Sequence, residues 1–149
     1  MKIRIATEAD VEALFDVRTS VRENHQSREE LAGLGVTPRS IAEMLRTTGR
    51  AWLAEEDGGA VAFAMADAEQ GTVFAMFVRP DSEGRGLGRA LMEHAEAWLF
   101  GAGWNEIWLL TGSDPGLRAV GFYLHRGWQA VGQEAEGQTK YVKRRAQVG

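Results

Sequence analysis

The sequence contains no cysteine, which excludes disulfides, thiolate metal sites and cysteine nucleophiles together. Histidine is scarce as well: His25, His94 and His125 stand far apart and argue against a metal centre. No apolar run approaches the roughly 20 residues needed to span a bilayer, so no membrane partner is expected. Charges interrupt the opening MKIRIATEADVE before a secretory h-region can form, which makes the cytoplasm the expected location. Positive charge is not in excess either. With 17 Lys and Arg against 21 Asp and Glu, the net charge is −4. That speaks against a nucleic-acid partner, because phosphate neutralisation needs clustered cations. It mildly favours a cationic substrate such as an amine. The 149 residues suit one domain, 1–149, with no repeat, low-complexity tract or linker.

What is present is concentrated between Thr72 and Leu99, TVFAMFVRPDSEGRGLGRALMEHAEAWL. Thr72 to Val78 is a β-branched and aromatic run of strand length. Pro80 and Asp81 stop it, since proline cannot donate to a ladder. Gly84, Gly86 and Gly88 follow, and then Leu87, Leu91, Ala95 and Trp98 recur at helical spacing. A strand, a glycine-rich turn and a helix in that order set unpaired N–H groups at a positive helix terminus, a seat for phosphate. The dinucleotide fingerprint fails because Arg89 stands where its third glycine belongs, and no Gly-Lys-Ser/Thr run provides a P-loop.

Along the chain, Lys2 to Ala6 alternates as a strand. Thr7 with Asp10 opens a helix whose stripe runs Val11, Leu14, Phe15, Arg18 and Val21. Ser27 with Glu30 makes a capping box for a short second helix, and Thr37-Pro38 starts a third. Ala51–Glu55, Val61–Ala66 and Thr72–Val78 form an antiparallel meander turning at Asp57-Gly58-Gly59 and Gln70-Gly71. After the 87–100 helix, Ile107–Thr111 reads as a strand buried on both faces. A helix over Leu117–Arg126 and strands at Trp128–Val131 and Lys140–Lys143 complete the order.

EGRGLGRALM, placed after VRP, resembles the acetyl-coenzyme A loop of the GCN5-related N-acetyltransferase (GNAT) superfamily. That pattern is Arg or Gln, two residues, Gly, one residue, then Gly or Ala. Gly86 and Gly88 match it, while Glu83 stands where Arg or Gln is usual. Ala119 with FYLHRGW, Phe122 to Trp128, resembles the family's second segment, A-x-x-F-Y-x-x-x-G-F. The resemblance implies an α/β (α+β) fold with a mixed, largely antiparallel central sheet of about six or seven strands flanked by helices. It also implies direct transfer of acetyl from acetyl-CoA to a primary amine, on a small molecule, a peptide or a protein lysine. A homodimer is compatible with it.

Carried over by position, the resemblance places the pantetheine arm on the backbone of Phe77 and Val78, with an N–H near Val78 polarising the thioester. It lays the pyrophosphate on the N–H groups of Glu83, Gly84, Arg85, Gly86, Leu87, Gly88, Arg89 and Ala90. Beside a diphosphate, Glu83 is expected to point away or to pair with Arg79 or Arg85. Ala119 and Arg126 reach the pantetheine or nucleotide portion. Phe122, counted with the cofactor contacts, reads with Trp128 as a core aromatic. Tyr123 is the expected general acid. Gly116 replaces an Asn common in relatives. Glu23 leads the candidates for general base, with His25, Asp67 and Glu69 behind it. The alternatives are a longer acyl-CoA donor, a non-catalytic CoA-binding module and a nucleotide-phosphate binder.

Overall fold

The computed structural model describes residues 2–22, 25–112, 118–134 and 137–146. Seven strands form one sheet: β1 (Lys2–Ile5), β2 (Gly49–Glu56), β3 (Gly59–Asp67), β4 (Thr72–Val78), β5 (Glu106–Gly112), β6 (Gln129–Glu134) and β7 (Gln138–Arg144). Their order is β1-β2-β3-β4-β5-β7-β6. Every neighbouring pair is antiparallel except β4 with β5. This is the mixed, largely antiparallel sheet expected. Helices α1 (Val11–Ser20), α2 (Arg28–Gly33) and α3 (Pro38–Arg46) cover one face, α4 (Leu87–Gly101) lies on the other, and α5 (Arg118–His125) packs beside the C-terminal strands.

Local chemistry sets the ends of these elements. The Ser27–Glu30 capping box forms, with Glu30 N–H donating to Ser27 Oγ and Ser27 N–H to Glu30 Oε1, both at 3.1 Å. Asp57 and Gly58, with φ of 52° and 78°, turn the β2–β3 hairpin in the manner of a type I′ turn. Strand β3 alternates small and large side chains. Ala62, Ala64 and Ala66 lie in the cluster under α4, and Phe63 and Met65 in the one under α1 and α3. The alanine stripe lets α4 lie close to the sheet, burying Leu87, Leu91, Met92 and Leu99. Each such side chain contributes about 1.5–3 kcal/mol.

Strand β5 departs from expectation. Ile107, Leu109 and Thr111 are buried, but Trp108 is only half-buried and Leu110 is 40% exposed. Its second face is open because α1 and α3 pack over β2, β3 and β4 rather than over β5.

Behind α4, one carboxylate ties three elements together. Glu96 is buried and accepts from Lys143 Nζ at 2.7 Å, Trp128 Nε1 at 3.2 Å and Arg126 Nη2 at 3.3 Å. Deleting it leaves two cations and an indole N–H facing each other without an acceptor. Glu96→Ala is therefore expected to lose about 3–5 kcal/mol, a fall in Tm on the order of 10 °C for a domain this size, measurable by calorimetry.

Candidate active site

The site begins with an extra residue in β4. Ala66 pairs with Val73 and Met65 with Ala75, so Phe74 has no partner on β3. A bulge of this kind bends its strand and increases the local twist. Before it, β4 is held to β5: Thr72 Oγ1 donates to Trp108 O at 2.7 Å, and Trp108 N–H donates to Gly71 O at 3.1 Å. Beyond it the pairing ends. The two strands form a wedge that is closed at Thr72 and open towards Val78.

The register decides which backbone groups face the gap. Arg79 N–H donates to Val61 O at 2.8 Å, across the Ala62–Val78 pair. By antiparallel alternation the N–H of Phe77 points to β3, and those of Met76 and Val78 point into the wedge. Phe77, expected among the backbone contacts, thus gives its N–H to the sheet, and Met76 stands in its place beside Val78.

From the open end the chain enters the glycine loop. Gly84 and Gly86 both have φ of +77°, the left-handed region where a Cβ is penalised. Gly86 occupies the N-cap of α4 and provides no side-chain cap. The first helical bond runs from Ala90 N–H to Gly86 O at 3.1 Å. The N–H groups of Leu87, Gly88 and Arg89 therefore have no acceptor within the helix, at the positive end of a 15-residue dipole. Ala90, expected to offer its N–H, is already bonded.

Both features line one cleft of about 830 Å³. Val73 to Val78 form one wall, Gly84, Gly86, Leu87, Gly88 and Arg89 the mouth, and Ala119, Phe122 and Tyr123 the side towards α5. Glu83 also lines it, with its carboxylate paired to Arg118 rather than to Arg79 or Arg85. Arg79 Nε instead donates to Ala60 O at 2.8 Å, and Arg85 pairs with Glu56 at 2.6 Å, outside the cleft lining. Arg126 is likewise absent from the cleft lining, and its guanidinium pairs with Glu96.

Tyr123 is buried, its ring edge-on to Phe122 at 5.2 Å and to Trp128 at 6.0 Å. Burial, and then the Glu96 charge, push its phenol well above the ordinary tyrosine range. It holds its proton throughout the physiological window, so its O–H remains available as a donor. Among the base candidates, Glu23 lies outside the described residues, as does Gly116. His25 Nδ1 sits 2.9 Å from Val21 O on the surface. Asp67 and Glu69 lie at the closed end, about 20 Å along β4 from Val78 at 3.3 Å per residue.

Unpaired N–H groups at the start of α4 and along the wedge thus line one continuous cleft. The sequence profile described as "Acetyltransferase (GNAT) family" matches residues 11–128. The chain belongs to that family. The mycothiol acetyltransferase of Beutenbergia cavernae is 34% identical over 90 residues, 57% of this chain, and the chain spans 30% of that relative's length. The PaiA N-acetyltransferase of Thermoplasma acidophilum, solved in complex with coenzyme A, superposes with a TM-score of 0.81 at 16% identity, over 97% of this chain and 100% of that one. The ribosomal-protein-S18-alanine N-acetyltransferase of Escherichia coli gives 0.73 at 18% identity, over 99% and 97%. Likeness at these identities shows a GNAT fold.

Sequence reading missed Phe74, Met76, Leu110 and Arg118 as cleft residues of this GNAT domain. Alternation along β4 carried no sign of the bulge, and Arg118 gave no signal before its pairing with Glu83 was visible. The protection of Tyr123 is directly measurable. In alkaline titration followed by phenolate absorbance, the native wild type minus Tyr123→Phe difference is expected to stay flat to about pH 11, one unit beyond the ordinary midpoint of about 10.

Proposed function

We propose that the protein is an N-acetyltransferase that binds acetyl-CoA and a primary amine together and transfers acetyl directly between them. The observation that supports this most is the continuity of two donor rows: the uncapped N–H groups of α4 at the mouth, and those of Met76 and Val78 within the wedge. The first row suits a diphosphate and the second an extended amide-bearing arm. When bound, acetyl-CoA supplies a thioester whose C–S bond breaks as the amine nitrogen forms the new amide, the nitrogen losing a proton to solvent water and the sulfur leaving as thiolate.

The chain's own groups have distinct parts in this reading. Val78 N–H is the donor for the carbonyl oxygen, where negative charge develops. Tyr123 holds its proton at the phenol and offers it as a hydrogen bond to the departing sulfur. Because its phenol is raised, this donation, rather than complete transfer, is its contribution. Phe122 and Ala119 wall the arm off from water. Glu83, neutralised by Arg118, leaves the phosphate seat to backbone donors.

Thermal unfolding provides the test. Acetyl-CoA at a hundred times its Kd is expected to add about 2.7 kcal/mol, or about 5–10 °C, whereas NAD and ATP leave Tm unchanged. An equal rise with ATP would sink the reading in favour of a general nucleotide binder. Tyr123→Phe should keep the rise and lower kcat about a hundredfold. An unchanged kcat would remove Tyr123 from the reaction. Glu83→Gln, which removes a carboxylate from the phosphate seat, should tighten CoA binding by about 0.5–1 kcal/mol in calorimetry.

A further inference from the structure

A second cavity, of about 260 Å³, lies on the other face of β4 between the sheet and helices α1 to α3. It shares Phe74, Ala75, Phe77 and Leu110 with the cleft, so the two meet where β4 leaves β5. Arg18, Gln26 and Gln138 are its only polar lining residues among those described.

Arg18 is the unusual member. Its guanidinium carbon lies 4.2 Å from the centre of the Phe77 ring, and Nη2 donates to Gln26 Oε1 at 2.9 Å. Nη1 is buried and has no hydrogen-bond partner. Among the described residues no carboxylate forms an ion pair with it. Glu12 and Asp16, on the same helix, both pair with Arg28, at 2.8 and 3.2 Å. Burial lowers the affinity of Arg18 for its proton, but an arginine stays charged. A cation with an orphaned donor in an apolar chamber is costly unless an anion completes it. The complement of a planar guanidinium is a carboxylate.

We infer that the acetyl acceptor is a small primary amine that also carries a carboxylate on an apolar body, an apolar amino acid being the simplest example. The carboxylate sits on Arg18, the body lies among Leu14, Phe15 and Phe63, and the amine points to the junction at Phe77 and Leu110. This rests on the acetyltransferase reading above. The chamber is smaller than the roughly 300–1,000 Å³ typical of sites for drug-sized ligands, so its occupant is of single-amino-acid size. A polyamine, or a lysine side chain presented by a protein, would bring a second cation to a charge that has no anion among the described residues.

The test is calorimetric titration of leucine and phenylalanine, and of their decarboxylated amines isopentylamine and phenethylamine, into the protein saturated with CoA. Spermidine is the cationic control, and release of free thiol from acetyl-CoA is read in parallel. The amino acids are expected to bind about 10- to 100-fold more tightly than the matching amines, the span of a hydrogen-bonded charge pair. In Arg18→Gln that ratio should collapse towards one, and Arg18→Lys should restore part of it. Unchanged melting of both variants separates this from misfolding. Equal binding of acid and amine, preference for spermidine, or no binding of any of them to CoA-loaded protein overturns the inference while leaving the acetyltransferase reading standing. Failure of acetyl-CoA itself to bind overturns both.

Discussion

The arrangement of the site depends on one unpaired residue. Phe74 has no partner on β3, and the resulting bend takes β4 away from β5 directly after their single bridge at Thr72 and Trp108. An uninterrupted sheet would have consumed the N–H groups of Met76 and Val78 in ladder bonds. The gap leaves polar backbone unpaired in the middle of a sheet, a cost a fold accepts only where something else will meet those groups. The closed end is correspondingly reinforced: Trp104 Nε1 donates to Ala68 O at 2.6 Å and Trp108 Nε1 to Gln70 O at 2.9 Å, fastening the β3–β4 turn to the neighbouring chain.

The wedge also joins the two faces of the molecule. The core under α4 and the core under α1 to α3 are separate clusters divided by the sheet. Only where β4 and β5 part do the cavities of the two sides share lining residues. In the reading proposed above, a donor along α4 and an acceptor under α1 meet through the sheet, each held by a different core. Glu96 steadies the first side from behind by joining α4 to Trp128 and to Lys143 on β7.

Much of this was legible in the sequence, and the limits have physical reasons. All seven strands and the glycine loop could be read from periodicity and turn residues, because those signals are local. Glycines at 84 and 86 announce a left-handed backbone on their own. The face of β5 that opens to the cavities could not be read, since Leu110 looks like any core leucine until the missing neighbour is known. Arg18 sat within an apolar helical stripe and gave no sign that its partners would be a phenyl ring and a glutamine. Arg126 looked like a ligand contact by position in its motif, yet a carboxylate 30 residues away claims it. Long-range pairing of charges is invisible to spacing.

The distribution of tryptophan carries a last consequence. None of the five lines either cavity. Trp108 instead sits at the hinge where the two strands begin to part, and Trp104 rests against the turn just before it. Trp52, Trp98 and Trp128 belong to the core under α4, so Trp104 and Trp108 are the two rings that report on the hinge. A ligand that slips into an already parted sheet leaves the surroundings of those two rings as they are, and one that pries the strands further apart changes them, so emission from Trp104 and Trp108 distinguishes a preformed wedge from one that its ligands must open.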